Sequence, residues 1–319
     1  MRRDPVLLAL VFLLLATPLI AQDQGQNLSR PIDPKGNVVG THDTPSAATD
    51  SDELRKAIQN PVADLISFPL ENNSNFGVGP YNRIQNVLDI QPVVPVHLST
   101  EWILITRTIM PIIYQPMSIQ PVNQGAHGLG DLNPTFFLSP AKPHKIIWGI
   151  GPDFVFPTAT NPLIGQGKWS IGPSLVALAQ PKHFTIGVLV NNVWSFAGQS
   201  NRPDVNQMLL EPFINYNMKK GWFLVTAPFI TANWKGSRGN VWTVPVGGGI
   251  GRLTKLGFQP VSLEAEFYGN ATYPSGTSSW SMRLQISFLF PRLTKDEEKM
   301  LLEEKLKQLE QRLPPKKSS

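Results

Sequence analysis

The sequence predicts an all-β protein: a closed antiparallel transmembrane β-barrel of about twelve strands, with a short N-terminal helix and a charged C-terminal helix. Three observations lead there. The stretch Ser281 to Phe290, SMRLQISFLF, alternates without a break. Met282, Leu284, Ile286, Phe288 and Phe290 share one face of a strand, and Ser281, Arg283, Gln285 and Ser287 share the other. Twelve strand-like runs follow one another, centred near residues 72, 89, 107, 134, 152, 174, 190, 212, 228, 247, 266 and 285. The connections between them fall into two alternating sets. Leu98–Glu101, Pro140–Lys145, Pro181–His183, Lys219–Gly221 and Thr254–Gln259 are short, whereas Gln115–His127, Ala159–Lys168, Gly198–Val205, Lys235–Asn240 and Pro274–Ser279 are mostly longer and rich in Asn, Gly, Pro and Ser. Short turns on one rim and long loops on the other is the outer-membrane arrangement, and a sandwich gives no reason for it.

Composition agrees. Charged residues make up 16% of the chain, below the ~25% usual for soluble domains. Thirty prolines and 25 glycines supply turns. With no cysteine, an exported chain cannot rely on disulfides, so it needs a large core or lipid in place of one. The net charge of +5 is modest and does not argue for a nucleic-acid partner.

In chain order, MRRDPVLLALVFLLLATPLIAQ has a basic start, an apolar run from Pro5 to Ile20 and a small residue at Ala21, so residues 1–21 read as a secretory signal. No later apolar stretch approaches the ~20 residues of a spanning helix. Residues 22–51 are polar without apolar period and read as a disordered lead. Residues 52–66 read as a short helix. Leu54, Ala57 and Ile58 lie on one face, and Asn60 with Pro61 resembles a cap and first turn for Val62 to Ile66. This segment is an amphipathic spacer or a periplasmic plug. The barrel covers residues 67–291. Over 292–319, Leu302, Leu306, Leu309 and Leu313 give a narrow seam on a periplasmic helix suited to self-association.

All eight tryptophans fall near strand ends. Trp102, Trp148 and Trp222 follow short turns, while Trp169, Trp194, Trp234, Trp242 and Trp280 flank long loops, so two membrane-interface girdles are predicted. The prolines run against the pattern. Pro92, Pro111, Pro134, Pro152, Pro173, Pro212, Pro228 and Pro245 lie inside strand-like runs, and since proline cannot donate to a ladder, a repeated layer of bulges is predicted.

Charges inside strands belong to the lumen, because near the midplane a basic residue facing lipid costs ~2–4 kcal/mol. Arg83, Asp89, Arg107, Asp153, Glu211, Glu264, Glu266 and Arg283 are the lumen candidates. They would form a selectivity lining or pair and plug the bore. The five histidines show no paired spacing for a metal, and His127 before Gly128 has no nucleophile motif beside it, so neither metal, cofactor nor catalytic residues are assigned. Gly247, Gly248, Gly249 and Gly251 lack the Lys-Ser/Thr of a phosphate loop and read as relief of crowding inside the barrel.

Several blocks carry a closer likeness: NPVADLISFPLENNSNFGVGP (60–80), GLGDLNPTFFLSP (128–140), GKWSIGPS (167–174), LVNNVWSFAG (189–198), RPDVNQMLLEPFINYN (202–217) and WTVPVGGGIG (242–251). Over residues 60–291 the chain resembles the MetA-pathway phenol-degradation family of outer-membrane proteins labelled as transporters, some of whose members carry the label neuromedin U. The resemblance implies a bacterial outer-membrane barrel passing aromatic or hydrophobic solutes, and brings no catalytic residues. The final strand, ending at Phe288 and Phe290, resembles the closing strand read by the barrel-insertion machinery. The combined expectation is an outer-membrane channel, lipid-embedded and not an enzyme, passing a small solute by passive diffusion. The alternatives are a plugged structural or interaction barrel and a barrel lipid hydrolase.

Overall fold

The structure, a computed structural model, describes residues 47–117, 125–142 and 144–291. The signal predicted at 1–21, the lead as far as residue 46 and the C-terminal helix and tail at 292–319 lie outside the described residues.

Helix α1 (Ala47–Ile58) precedes fifteen strand segments. These are β1 (Ile66–Val78), β2 (Arg83–Ile90), β3 (Val93–His97), β4 (Trp102–Pro116), β5 (Gly125–Leu129), β6 (Asn133–Pro140), β7 (Ile147–Val155) and β8 (Lys168–Ala179). They continue with β9 (Phe184–Gly198), β10 (Asn206–Asn217), β11 (Trp222–Thr226), β12 (Ile230–Asn233), β13 (Trp242–Leu256), β14 (Gln259–Thr272) and β15 (Trp280–Phe290). Three pairs are single passes broken midway: β2 with β3, β5 with β6, and β11 with β12. The result is a closed antiparallel barrel of 12 strands. The last strand closes on the first, from Ile66 opposite Phe290 to Phe76 opposite Trp280. An even number of passes leaves both ends of the wall on the short-turn rim. One long-rim connection breaks the alternation, since only residues 79–82 join β1 to β2.

Alternation is clear along β15, where Arg283, Ser287 and Leu289 are buried inside while Leu284 and Phe290 are exposed outside. The outer face is apolar around the circumference: Phe68, Val94, Ile112, Ile150, Leu175, Ile186, Ile214, Leu224, Ile250, Leu263 and Leu284 are all exposed there.

The prolines do not build a bulge layer. Register shifts occur at Asn75/Val78, Trp169/Ser170 and Val244/Pro245, so only Pro245 sits at one. Pro92 and Pro228 occupy strand breaks. Pro111, Pro134, Pro173 and Pro212 stay in register opposite Asp89, Thr108, Pro152 and Val188. The wall absorbs a missing donor as a lost rung: next to Pro134 and Pro152, β6 and β7 pair only at Thr135–Asp153 and Leu138–Ile150. Glycines do relieve crowding. A Cβ on Gly251 would lie 2.2 Å from the Phe223 ring, and one on Gly249 would lie 1.9 Å from the Ala265 carbonyl oxygen.

The N-terminal segment departs from its predicted boundaries. α1 begins at Ala47 and ends at Ile58, and residues 60–65 form turns leading into β1 rather than more helix. Asn60 does accept a bond from the Val62 amide at 3.0 Å, yet only one turn follows. Val62 and Leu65 are committed to the lumen, and that packing pulls the backbone out of helical register.

Candidate functional site

The lumen is layered along its axis. At the short-turn end an apolar cluster and a few buried polar side chains point inward, and the N-terminal segment crosses the bore. Val62 is 4% exposed and packs with Ile103, Ile105, Phe137, Val176, Leu178, Leu189 and Phe213, from β4, β6, β8, β9 and β10. Leu65 packs with Leu253 and Leu289 on the opposite wall, alongside Leu54, Ala57, Ile58 and Ala63. Polar contacts pin the same segment. Arg55 donates to the Met218 carbonyl at 2.7 Å, Gln59 donates to Asn217 at 2.9 Å, Thr185 donates to Gln59 at 2.9 Å, and Gln180 donates to the Lys56 carbonyl at 2.7 Å. The bore is filled at this level.

Above it lies a belt of charge. Arg283, 5% exposed, has Glu71 and Glu266 oxygens each 3.5 Å from its guanidinium, bonds the Asn73 side chain, and lies 3.9 Å from the centre of the Phe229 ring. The strand break at 227–229 makes this possible. Pro228 has no N–H and the ladder stops there, so the Ala227 main chain finds other partners. Its amide donates to the Tyr268 hydroxyl at 2.8 Å and its carbonyl accepts from Arg283 at 3.0 Å. Tyr268 in turn donates to Glu266 at 2.5 Å. Asp89 sits opposite Glu71 on the neighbouring strand. Arg107 donates to Gln91 at 2.8 Å, at the break between β2 and β3. Glu264 accepts from Ser262 at 3.0 Å, and Glu211 lies within electrostatic reach of Arg107, Arg283, Glu71 and Glu266.

The third layer is a cavity of about 590 Å³. Amides from many strands line it, among them Gln85, Gln115, Asn133, Asn191, Gln207 and Asn233, with Ile113, Val193 and Leu209 between them. Asp153 stands at its wall and accepts from Asn133 at 2.7 Å and Thr135 at 2.8 Å. The long connection between β7 and β8 folds over it. Asp131 holds that loop by accepting from the Ala159 amide at 3.1 Å and the Gln166 amide at 2.6 Å, and Arg202 donates to the carbonyls of Pro162, Gly165 and Gln166. Ile164 and Gln166 are thereby turned into the cavity lining.

Of the eight lumen candidates, Asp89, Arg107, Glu211, Glu264, Glu266 and Arg283 share the belt, and Asp153 lies in the chamber. Arg83 does not join them: it stands past the bulge at the long-loop rim, donating to the Met117 carbonyl at 2.9 Å beside the Tyr81 ring. Seven tryptophans, at 102, 169, 194, 222, 234, 242 and 280, are exposed on the outside, and Trp148 is half-buried edge-on to Trp102 at 6.1 Å. His127 is exposed on β5 opposite Tyr114.

Solved structures share this fold. An outer-membrane channel from Pseudomonas putida F1 aligns with TM-score 0.56 at 12% identity, covering 72% of this chain and 97% of that one. The likeness is one of fold, a closed antiparallel β-barrel. The NanC porin aligns with TM-score 0.44 at 10% identity over 71% of this chain and 100% of that chain. The CymD monoaromatic hydrocarbon channel aligns with TM-score 0.42 at 9% identity over 78% and 94%. No family model matches the sequence, and no curated protein matches it.

Sequence reasoning missed three parts of the site. Glu71 was within reach, since it shares parity with Ser67, Pro69 and Asn73 on a strand whose neighbours face outward. The amides were overlooked because uncharged Asn and Gln also occur outside, where Asn72 and Asn86 bond each other at 3.0 Å. The strand break that brings Phe229 over Arg283 has only Pro228 as its signal.

Proposed function

We propose that this chain is an outer-membrane channel for a small solute, held shut at its short-turn end by residues 47–65. The observation that carries the reading is the inversion of its surfaces. An apolar exterior surrounds a wall whose interior holds charges, amides and a cavity, which is stable only where lipid replaces water outside. The tryptophans near both rims suit the two interfaces of a bilayer. On this reading the short turns face the periplasm, the long loops face outside, and the strand ending at Phe288 and Phe290 is what the insertion machinery reads.

Passage is by passive diffusion once the 47–65 segment withdraws. The family resemblance in residues 60–291 points to aromatic or hydrophobic solutes. The belt sets ion preference: Glu71, Asp89, Glu211, Glu264 and Glu266 face two guanidiniums, Arg107 and Arg283, which favours cations. A sealed structural barrel is the second reading, favoured by the filled bore at Val62 and the Arg283 brace.

Planar-bilayer recording separates the two. The full chain should be nearly silent, and a variant lacking residues 47–65 should conduct, with heat-dependent gel mobility verifying that its barrel is intact. An intact but silent deletion variant would establish the sealed reading. Single cysteines at Ser200 and Ser278 should react with an impermeant thiol reagent on whole cells, while one at Lys220 stays unlabelled; the opposite pattern inverts the topology.

A further inference from the structure

We infer that the chamber under the β7–β8 loop is a binding site for a small uncharged solute bearing hydroxyl groups on opposite edges. This inference rests on the channel reading and departs from the hydrophobic cargo that the family resemblance implies, naming a hydroxylated class instead.

The lining decides the charge of the occupant. Among the described residues that line it, the ionisable side chains are Asp131 and Asp153, with no Lys, Arg or His. Both Asp131 oxygens are engaged by main-chain amides of the loop, and Asp153 is engaged by Asn133 and Thr135. An anion would therefore meet carboxylates in the lining while the nearby Arg202 guanidinium is spent on the loop carbonyls behind it.

The amides decide the polarity. Gln85 and Gln115 stand on β2 and β4, and Asn191, Gln207 and Asn233 stand on β9, β10 and β12, in a different part of the wall. Part of this array satisfies itself: Gln85 donates to Gln115 at 2.5 Å, and Gln166 donates to Gln207 at 2.8 Å. Part does not. Among the described residues the Gln166 side-chain oxygen is buried without a partner and the Asn191 side-chain amide makes no hydrogen bond. An amide offers both a donor and an acceptor, which is what a hydroxyl, itself donor and acceptor, matches from either side. A pure hydrocarbon would strip water from these groups and return nothing, an unfavourable exchange. Leu209, Val193 and Ile164 supply apolar contact for a ring face between the polar edges. About 590 Å³ accommodates one such ring with solvent around it.

The loop makes this a built site. Asp131 and Arg202 together hold the loop inward, so Gln166 lines the cavity with its side-chain amide bonded to Gln207.

Equilibrium binding to the purified full-length protein in detergent tests the inference, with glucose as the uncharged polyol, glucuronate as its carboxylate analogue and toluene as the hydrocarbon. Glucose should bind saturably, at least about tenfold tighter than glucuronate. Gln207→Leu and Asn191→Leu, each verified as folded by heat-dependent gel mobility, should each weaken glucose at least about fivefold, the factor associated with one unmatched buried polar group. Saturable toluene binding that displaces glucose, glucuronate binding as tightly as glucose, unchanged glucose affinity in both variants, or no glucose binding would each overturn it. If glucose binds as stated while the 47–65 deletion stays silent in bilayers, the channel reading fails and the site stands.

Discussion

The two ends of the lumen are built on the same strands and the same alternation, yet one is a core and the other a cavity. At the short-turn end the inward positions of β4, β6, β8 and β9 are Ile103, Ile105, Phe137, Val176 and Leu189, all nearly inaccessible. Farther along the wall the inward positions of β4, β6 and β9 become Gln115, Asn133 and Asn191. Apolar side chains gain by excluding every void, so they close on Val62 and Leu65 as a dry interior. Amides gain nothing from such closure unless each finds a partner, so they hold a solvent-sized space. A barrel of fixed strand number is thus open or shut at a given height according to which residues occupy its inward positions.

Substitutions can break that contrast. The largest effect should come from Phe137→Ala, which leaves a cavity in the sealed layer and should cost about 3–5 kcal/mol in urea unfolding. Gln207→Ala, on an open chamber, loses the bond from Gln166 and should cost about 1 kcal/mol. Similar losses for the two would mean that both ends are packed alike. Arg283→Met, at the belt between them, strands Glu71 and Glu266 without their cation and should cost about 3–5 kcal/mol. Adding Glu71→Gln and Glu266→Gln should restore part of it, and a neutral Arg283→Met would show that the brace is not structural.

Arg55→Ala removes the bonds to the short turn at Met218 and should release the plug by about 1.5–3 kcal/mol. Hydrogen exchange should accelerate in α1 while β8 and β9 keep their protection, since only a local unit is loosened. Asp131→Ala should free the loop at the other end by a smaller amount, about 1–2 kcal/mol. Proteinase K should then cut between residues 157 and 167 at a rate the parent does not show. The smallest effect is on selectivity. Glu211→Gln with Glu264→Gln removes two belt carboxylates that form no ion pair among the described residues, and should reduce cation preference in the plug-deleted channel as read by reversal potential. Glu266 is unsuited to this test because it braces Arg283 and Tyr268.

What the sequence determined by itself is the local repeat. Alternation, turn residues and strand-end tryptophans are properties of neighbours a few positions apart, and they suffice for twelve passes and the in-and-out assignment of Arg283 and Leu284. What only the tertiary structure decided is everything that depends on closure. Val62 meets Phe213, and Arg283 meets Phe229, because the wall returns on itself, and no spacing in the chain records those distances. Helix α1 illustrates the limit: its apolar face is visible in Leu54, Ala57 and Ile58, but a stripe of that width fits a solvated spacer as well as a plug. The decision came from Leu253 and Leu289, inward residues of β13 and β15 that had a hydrophobic surface left to cover.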